Sequence, residues 1–392
     1  MAVAERQAEI RGEIARNPTQ FFAREVEHRL DDARTRLGAF LGSDPAALAW
    51  IDNTTTGINT VLQHVERRIG RGDEVVVTDH EYNACRNALE AMTQRVGATI
   101  RTAAVPFPIS DPRQATEAVL SRVGDRTRLV VLDHVTSQSA LALPVEGLVG
   151  EIETAGIPTL IDGAHAPGML PLDLDSLGAS FYVGNCHKWL CAPHGAAFLR
   201  VAPAHRDAVD PLVISHGWND VRPERSRFRK LFDWVGTDDP SAMLSVPAAI
   251  DTIASSRPGG WPAVMSRNRA LAIEARRLVL DRVGARLPRL TRCSVRWRWS
   301  SFRRQPWRLR ASSTRSPRPS ASHIGSKCQS SPSPTVPDES CGFRRTSTTP
   351  SMTTKRWQTP SPSISDSVGE QVEEVFPVRL QLGRADTRDF EE

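Results

Sequence analysis

Two short polar motifs follow apolar runs in the middle of the chain. The first is Asp162-Gly-Ala-His165, which closes the run 158–162, and the second is His187-Lys188, which follows the run 181–183. Ligands of open α/β sheets bind at the carboxyl ends of the strands, so the Asp162 carboxylate and the Lys188 amine can reach one crevice. Pyridoxal 5'-phosphate (PLP) needs a carboxylate that keeps its pyridine nitrogen protonated and an amine that forms a Schiff base. The pair therefore indicates PLP chemistry, although Lys188 taken alone would be read as a surface lysine.

A third polar stretch, residues 52–59 with the sequence Asp-Asn-Thr-Thr-Thr-Gly-Ile-Asn, precedes a predicted amphipathic helix over 56–64. Hydroxyl groups and unpaired backbone N–H groups at the start of a helix make an anion site. The same residue types are also typical of an ordinary helix N-cap. The stretch alone leaves both interpretations open, and a phosphate site is the functional one.

The elements that must position these motifs alternate between strands and helices. Alternation of this kind predicts an α/β fold with a mostly parallel, doubly wound sheet. The predicted strands are β-branched runs at 74–78, 128–133, 158–162 and 196–199. The predicted helices include amphipathic stretches at 115–123 and 145–155.

The combination of Asp-Gly-Ala-His-Ala-Pro-Gly with His-Lys-Trp-Leu and a nearby Ala-Pro resembles the class V aminotransferase family of fold-type I PLP enzymes. The resemblance spans about residues 17–253. The family includes cysteine desulfurases, kynureninases, isopenicillin N epimerases and sulfoxide lyases, and the motifs are most similar to the epimerase-like members. The resemblance implies fold-type I architecture, PLP as the cofactor and an amino acid as the substrate.

The resemblance also implies roles for individual residues. Lys188 would form the internal aldimine and move the Cα proton, Asp162 would pair with the pyridinium nitrogen, and His165 would bond the phenolic oxygen. Taken alone, His165 would be read as a structural histidine. The remaining cofactor-binding residues that the family implies are Thr54, Thr55, Asn185 and His187 at the phosphate, Tyr82 (with His80 as second candidate) stacked on the ring, Ser137 or Gln138 near the ring oxygen, and Thr237 from a partner subunit. The last of these implies a homodimer.

Charge is distributed unevenly along the chain. Its formal net charge is +5, yet residues 291–360 carry twelve Arg and two Lys against Asp338 and Glu339, so the remainder is near −7. This stretch, rich in Ser, Thr and Pro, is typical of a disordered tail or an Arg/Ser-type RNA-binding arm. We favour a third interpretation, a shifted reading frame. The codons that residues 341–362 allow, when read from two nucleotides later, permit an amphipathic helical peptide. The same offset permits peptides typical of a globular protein across 292–302 and 323–335, and a stop codon at Ser365-Asp366.

The resulting domain map has four parts. Residues 1–253 are predicted to be the PLP-binding large domain, without the family's first segment, and residues 254–285 to begin the small domain. Residues 286–365 are predicted to be the frameshifted small domain, which the present sequence would leave disordered. Residues 366–392 are predicted to be a read-through tail. The family's carboxylate-binding Arg appears only in the shifted frame, across Cys341-Gly342. Its loss would remove the bidentate anchor of the substrate, so a catalytically defective relic is one alternative.

Three reaction outcomes share these residues: epimerisation, β-elimination and transamination. We favour an epimerase-like enzyme that abstracts the α-proton, with a C–S lyase of the cysteine or hercynylcysteine-sulfoxide type as the alternative. A desulfurase is disfavoured because the cysteines of the small domain belong to the suspect frame. The six cysteines lack disulfide or metal spacing, and no signal peptide or membrane span is evident. The sequence therefore predicts a cytoplasmic protein without nucleic-acid, membrane or metal partners.

Overall fold

A computed structural model describes residues 2–284 of the chain. The predictions for residues 285–392, including the frameshifted segment and the read-through tail, lie outside the described residues. The described part is built around a seven-stranded sheet with the order β1-β7-β6-β5-β4-β2-β3. The strands are β1 Leu48–Ile51, β2 Glu74–Thr78, β3 Thr99–Ala103, β4 Thr127–Asp133, β5 Thr159–Asp162, β6 Phe181–Asn185 and β7 Ala197–Val201.

Helices cover both faces of this sheet. The α-helices are α1 Ala2–Arg16, α2 Pro18–Gln20, α3 Val26–Leu41, α4 Thr54–Glu66, α5 Asn83–Val96, α6 Pro112–Leu120, α7 Val145–Thr154, α8 Leu174–Leu177, α9 Pro203–Arg206, α10 Arg227–Phe232, α11 Ser241–Leu244, α12 Val246–Ser255 and α13 Gly260–Val283. A π-helical turn spans Phe21–Glu25, and 3-10 turns span Pro45–Ala47 and His216–Asn219. Among the helices of residues 2–284, none combines the length and apolar character that crossing a bilayer requires.

Five strands that are consecutive in the sheet, β3, β2, β4, β5 and β6, pair in parallel. Of these, β2 and β5 are buried along their whole length. Two apolar clusters lie on opposite sides: one joins the sheet to α3, α7 and α12, and the other joins it to α4, α5 and α10. Buried faces on both sides explain why the central strands are continuous apolar runs rather than alternating patterns. The predicted α/β class with a doubly wound, mostly parallel sheet is confirmed.

Strand β7 departs from the expected parallel pattern. It pairs antiparallel with both β6 and β1. The connection from β6, residues 186–196, contains no helix, and a parallel return would need a crossover of a dozen residues or more. The predicted strand at 196–199 is therefore present, but it runs in the direction opposite to its neighbours.

Two strands had no counterpart among the predicted runs. β1 is only four residues long, and β3 is an edge strand in which Thr99 and Arg101 are exposed. The polar edge strand β3 lacks the apolar run that identifies a buried strand, whereas β1 is apolar throughout and was missed although it has that signal. Neither of them contributes a site residue.

Candidate active site

Asp162 is the last residue of β5, which lies between β4 and β6 in the sheet, and its side chain is buried. One carboxylate oxygen, Oδ1, accepts a hydrogen bond from the Ala164 amide at 2.8 Å. The other, Oδ2, accepts one from the Cys85 thiol at 3.2 Å. Burial raises the pKa of Asp162, while these two donors and the Lys188 charge oppose that rise. Asp162 is therefore held in one orientation at the carboxyl edge of the sheet.

Lys188 lies three residues beyond the end of β6 and is half-buried. Its Nζ is 3.0 Å from Nε2 of His165, the residue that follows β5 in the same motif as Asp162. Removal from water lowers the pKa of Lys188, and the nearby Asp162 carboxylate partly offsets this effect. The two motifs therefore meet, as the strand-end argument requires, and the Lys188 amine lies in an environment that disfavours its charge.

Two glycines make this meeting possible. A Cβ on Gly163 would lie 2.2 Å from the Tyr182 hydroxyl oxygen, and one on Gly168 would lie 2.5 Å from the Trp189 carbonyl carbon. Gly168 also has a φ of +88°, which side-chain-bearing residues rarely adopt. The loop after β5 can therefore pack directly on β6 and on the backbone that follows Lys188. The motif's glycines serve close packing, while its Asp and His supply the polar groups.

The beginning of α4 approaches the same edge of the sheet. The Thr54 amide donates to Asn185 Oδ1 at 3.1 Å, and Asn185 Nδ2 donates back to the Thr54 hydroxyl at 3.2 Å. A Cβ on Gly57 would lie 2.7 Å from a Val183 methyl carbon, so the glycine lets the helix pack tightly on β6. Among the described residues, none accepts from the exposed Thr55 amide. An open amide at a helix N-terminus can receive an anion.

His187 lies beside this region but is engaged with the backbone. Its Nδ1 donates to the Ala196 carbonyl oxygen at 3.0 Å, and its ring packs near that of His194, with centroids 5.8 Å apart. Burial lowers the pKa of His187. The ring is therefore neutral near pH 7, with its second nitrogen available as an acceptor.

The two candidates for a ring-stacking residue differ in their surroundings. His80 is occupied: Nε2 donates to the Val105 carbonyl at 3.2 Å, and Nδ1 accepts from the Ser139 hydroxyl at 2.7 Å. Tyr82 is 43% exposed and is the N-cap residue of α5, where its side chain makes no cap hydrogen bond. The structure thus leaves the Tyr82 ring available and uses the His80 ring to hold a loop.

Two further predicted site residues are exposed on loops and make no hydrogen bond with Lys188 or Asp162 in the described chain. Ser137 and its alternative Gln138 are exposed on the loop after β4. Thr237 is exposed as well, and its neighbours Gly236 and Asp238 line one cavity together with Asp52 and Thr56 near the start of α4. Their predicted roles remain predictions.

A group of buried acids behind Asp162 was not predicted. Atoms of Glu81, Cys85 and Asp162 that could bind a common partner lie within 4.8 Å of one another, and Asp133 pairs with Asp162 in the strand register. Burial, followed by the Asp162 charge, raises the pKa of Glu81 to about 8. Burial also raises the pKa of Asp133 and of the Cys85 thiol. Glu81 follows the end of β2 and thus carries the strand-end signal, but nothing in the sequence places Cys85 against residue 162.

The sequence of this chain is similar to those of known proteins over most of the described residues. It is 38% identical over 296 residues to isopenicillin N epimerase of Streptomyces clavuligerus, covering 72% of each chain. It is also 32% identical over 287 residues to a putative L-cysteine desulfhydrase of Oryza sativa subsp. japonica, covering 68% of this chain and 57% of that one.

Solved structures share its fold. The cystine C-S lyase C-DES, in complex with its product cysteine persulfide, matches with a TM-score of 0.62 at 24% identity, covering 74% of this chain and 76% of that one. A C-DES mutant with glycine covalently linked to the PLP cofactor matches with a TM-score of 0.61 at 23% identity, covering 69% and 73%. The family model described as aminotransferase class-V matches residues 3–287. The chain therefore belongs to the aminotransferase class-V family of enzymes.

Proposed function

We propose that this protein is a PLP-dependent enzyme that removes the α-proton of an amino-acid substrate with Lys188. The observation that carries the proposal is the contact between the two strand-end motifs: Lys188 Nζ lies 3.0 Å from His165 Nε2, and Asp162 closes the neighbouring strand. When bound, PLP supplies an aldehyde for the Lys188 amine and a ring that takes up the electron pair left at Cα. The PLP structure of C-DES, a protein of the same fold, supports this assignment.

The residues present fit the three ends of such a cofactor. A fixed, buried carboxylate at Asp162 suits a protonated ring nitrogen. The open Thr55 amide and the Thr54 hydroxyl, supported by Asn185 and with His187 beside them, suit a phosphate. Tyr82 offers an available ring for stacking, and Ser137 and Thr237 remain further candidates. His165 presents a ring nitrogen on the side of Lys188.

Each polar residue then has one task. Asp162 stabilises a positive charge on the ring nitrogen, His165 bonds the phenolic oxygen of the ring, and Lys188 accepts the Cα proton as a neutral amine. Desolvation lowers the pKa of Lys188 and so favours this neutral form. A proton is then either added to the opposite face of Cα, which gives epimerisation, or Lys188 keeps the proton it has accepted while a β-substituent leaves with its bonding electron pair.

Visible absorbance of the purified full chain with added PLP tests the proposal. After unbound PLP is removed by gel filtration, the wild type should retain absorbance that borohydride shifts, because the Lys188 amine bonds to the cofactor's aldehyde. Lys188→Ala should not retain it. Lys230→Ala is the matched control, since Lys230 donates to the Arg222 carbonyl and lies in neither motif. Equal absorbance in Lys188→Ala would overturn the assignment.

Epimerisation is the favoured outcome and C–S cleavage the alternative. Similarity to an isopenicillin N epimerase supports the first, and similarity to a cysteine desulfhydrase and to C-DES supports the second. Isopenicillin N and L-cysteine, each incubated with the protein in D2O, separate them. An epimerase exchanges the Cα proton and inverts Cα without releasing sulfide, whereas a lyase releases sulfide from L-cysteine. Absence of absorbance, exchange and sulfide would instead support a defective relic.

We infer that the protein is a homodimer. Exposed apolar side chains cluster shortly before Gly236-Thr237, at Leu212, Val213, Ile214, Trp218 and Val221. Several large apolar side chains exposed in one segment are expected where another chain packs, and a second copy that covers them would bring Thr237 to the neighbouring site. Light scattering of the full chain should give a dimer, and Ile214→Glu should give a monomer. Gln94→Glu adds the same charge at an exposed position on α5 and should remain dimeric. A monomeric wild type would contradict the inference.

The domain map is also a proposal. The family match ends at residue 287, near the change of composition. Leu278, Val279 and Val283 at the end of α13 are exposed. Exposed apolar residues at this end of the helix are expected if a further folded domain packs there. The nucleotide sequence across codons 284–366 tests the frameshift directly. An open shifted frame with the stop codon supports it, and codons that forbid the shifted peptide contradict it. The gene with its shifted frame corrected can also be expressed. Activity of that product but not of the present chain would show that only the present chain is defective.

A cytoplasmic location completes the proposal. Cys85 and Cys186 are buried and unpaired, and the Cys85 thiol is a hydrogen-bond donor to Asp162. A thiol in this role must stay reduced, which favours a reducing compartment. Cell fractionation with cytoplasmic and secreted marker proteins tests the location, and recovery with the secreted marker would contradict it.

A further inference from the structure

Trp189, which follows Lys188 directly, makes a hydrogen bond that the proposed reaction has not used. Its indole Nε1 donates to His165 Nδ1 at 3.2 Å. The indole ring also packs on a small apolar cluster formed by Val135, Ala142, Ala166 and Met169. The ring is therefore fixed by apolar contacts on the same loop that carries His165.

This hydrogen bond determines where the proton of His165 lies. An indole nitrogen can only donate, so Nδ1 of His165 must accept. Burial lowers the pKa of His165 to about 4, so near pH 7 the ring is neutral and has a single N–H. That N–H must be on Nε2, the nitrogen that faces Lys188.

The tautomer in turn determines the state of Lys188. With a proton on Nε2, His165 is a donor at 3.0 Å from Lys188 Nζ, so the hydrogen bond forms only if Nζ offers its lone pair. An ammonium group has no lone pair and would oppose the Nε2–H. The Asp162 carboxylate acts in the other direction, because its negative charge favours the ammonium form of Lys188.

We propose that Trp189 is a positioning residue that locks His165 as the Nε2–H tautomer and thereby holds Lys188 as a neutral amine. The tautomer assignment depends only on atoms of this chain. Its catalytic consequence, faster capture of an aldehyde near neutral pH, rests on the proposed function. The same Nε2–H is also the group that His165 can offer to a phenolic oxygen.

Nitrogen-15 NMR of the cofactor-free full chain, labelled at histidine, tests the tautomer. His165→Gln assigns the resonances. In the wild type, Nδ1 of His165 should have the shift of an unprotonated ring nitrogen and Nε2 that of a protonated one. In Trp189→Phe, which keeps an aromatic ring but removes the donor, the two shifts should converge toward a tautomer mixture. Trp261→Phe is the matched control, because it removes an indole hydrogen bond to the Ile250 carbonyl away from His165.

The pH profile of PLP capture tests the effect on Lys188. Without the Trp189 donor, Nε2 of His165 can accept from a Lys188 ammonium, so the pKa of Lys188 should rise. The rate at pH 7 should fall about tenfold, the effect of one hydrogen bond, and the deficit should vanish at high pH. A structural role for Trp189 would lower the rate equally at every pH.

The outcomes separate this inference from the proposed function. Unchanged His165 shifts, or a pH-independent loss of rate, in Trp189→Phe would overturn the inference even if the wild type binds PLP through Lys188. If the wild type does not take up PLP while the His165 shifts still depend on Trp189, the tautomer assignment stands and the proposed function fails.

Discussion

The crevice at the carboxyl ends of β5 and β6, as we call the group Asp162, His165 and Lys188, and the segment 212–237 show how differently two parts of a site can be specified. In the crevice, Asp162, His165 and Lys188 have hydrogen-bond partners within the chain and lie in fixed orientations. In the outer segment, Leu212, Ile214 and Trp218 expose apolar surface, and Thr237 is solvent-exposed.

The difference supports the proposal that the crevice is built by one chain, whereas the outer segment serves a second copy. The crevice is built by strand ends, whose positions are set by the hydrogen bonds of the sheet. The outer segment is exposed, and under the proposed dimer a second copy would cover it. Substitutions in the crevice should therefore alter chemistry, and substitutions farther from it should alter affinity or assembly.

The largest effect is expected at Asp162. In Asp162→Asn, Cα-proton exchange should fall by about 100-fold or more, because the ring nitrogen loses the carboxylate that keeps its charge favourable. Deuterium incorporation into the substrate measures this. Asp133→Asn, which alters the neighbouring buried strand-end acid, is the matched comparison and should have a much smaller effect. Equal losses in both variants would place the charge partner elsewhere.

Glu81 should make the stability of the cofactor-free chain depend on pH. Burial raises its pKa from the ordinary 4.5 to about 8, so between these values the folded chain keeps a proton that the unfolded chain releases. The free energy of unfolding should therefore fall as pH rises through this window, by roughly 2–4 kcal/mol. Denaturant titrations at both ends of the window measure it. Glu81→Gln should flatten the dependence, and the exposed Glu117→Gln should not; the same slope in wild type and Glu81→Gln would refute the assignment.

A smaller effect is expected at the phosphate end. Asn185→Ala leaves the buried Thr54 amide and hydroxyl without their partner, which should loosen the start of α4. PLP affinity should weaken about tenfold, while the exchange rate at saturating PLP should stay close to that of the wild type. Absorbance titration with PLP measures the affinity. Asn87→Ala, at an exposed position on α5, is the control, and an unchanged affinity in Asn185→Ala would exclude this end as the phosphate site.

How much of this could be predicted from the sequence differs along the chain. The strand-end positions of Asp162 and Lys188 followed from apolar runs and polar ends, because parallel strands bring their carboxyl ends to one edge. The direction of β7 was not predicted, since an apolar run carries no information about its orientation. The Cys85–Asp162 contact joins residues 77 positions apart, and the bond between Trp189 and His165 depends on ring orientation. Neither can be read from spacing.

The most direct test of the central claim is the location of the covalent link. The full chain is loaded with PLP, reduced with borohydride, digested and analysed by mass spectrometry. We predict one pyridoxyl group, on the peptide that contains Lys188. Its attachment to Lys230, Lys327 or Lys355, or its absence from every peptide of a chain that takes up PLP, would contradict the account.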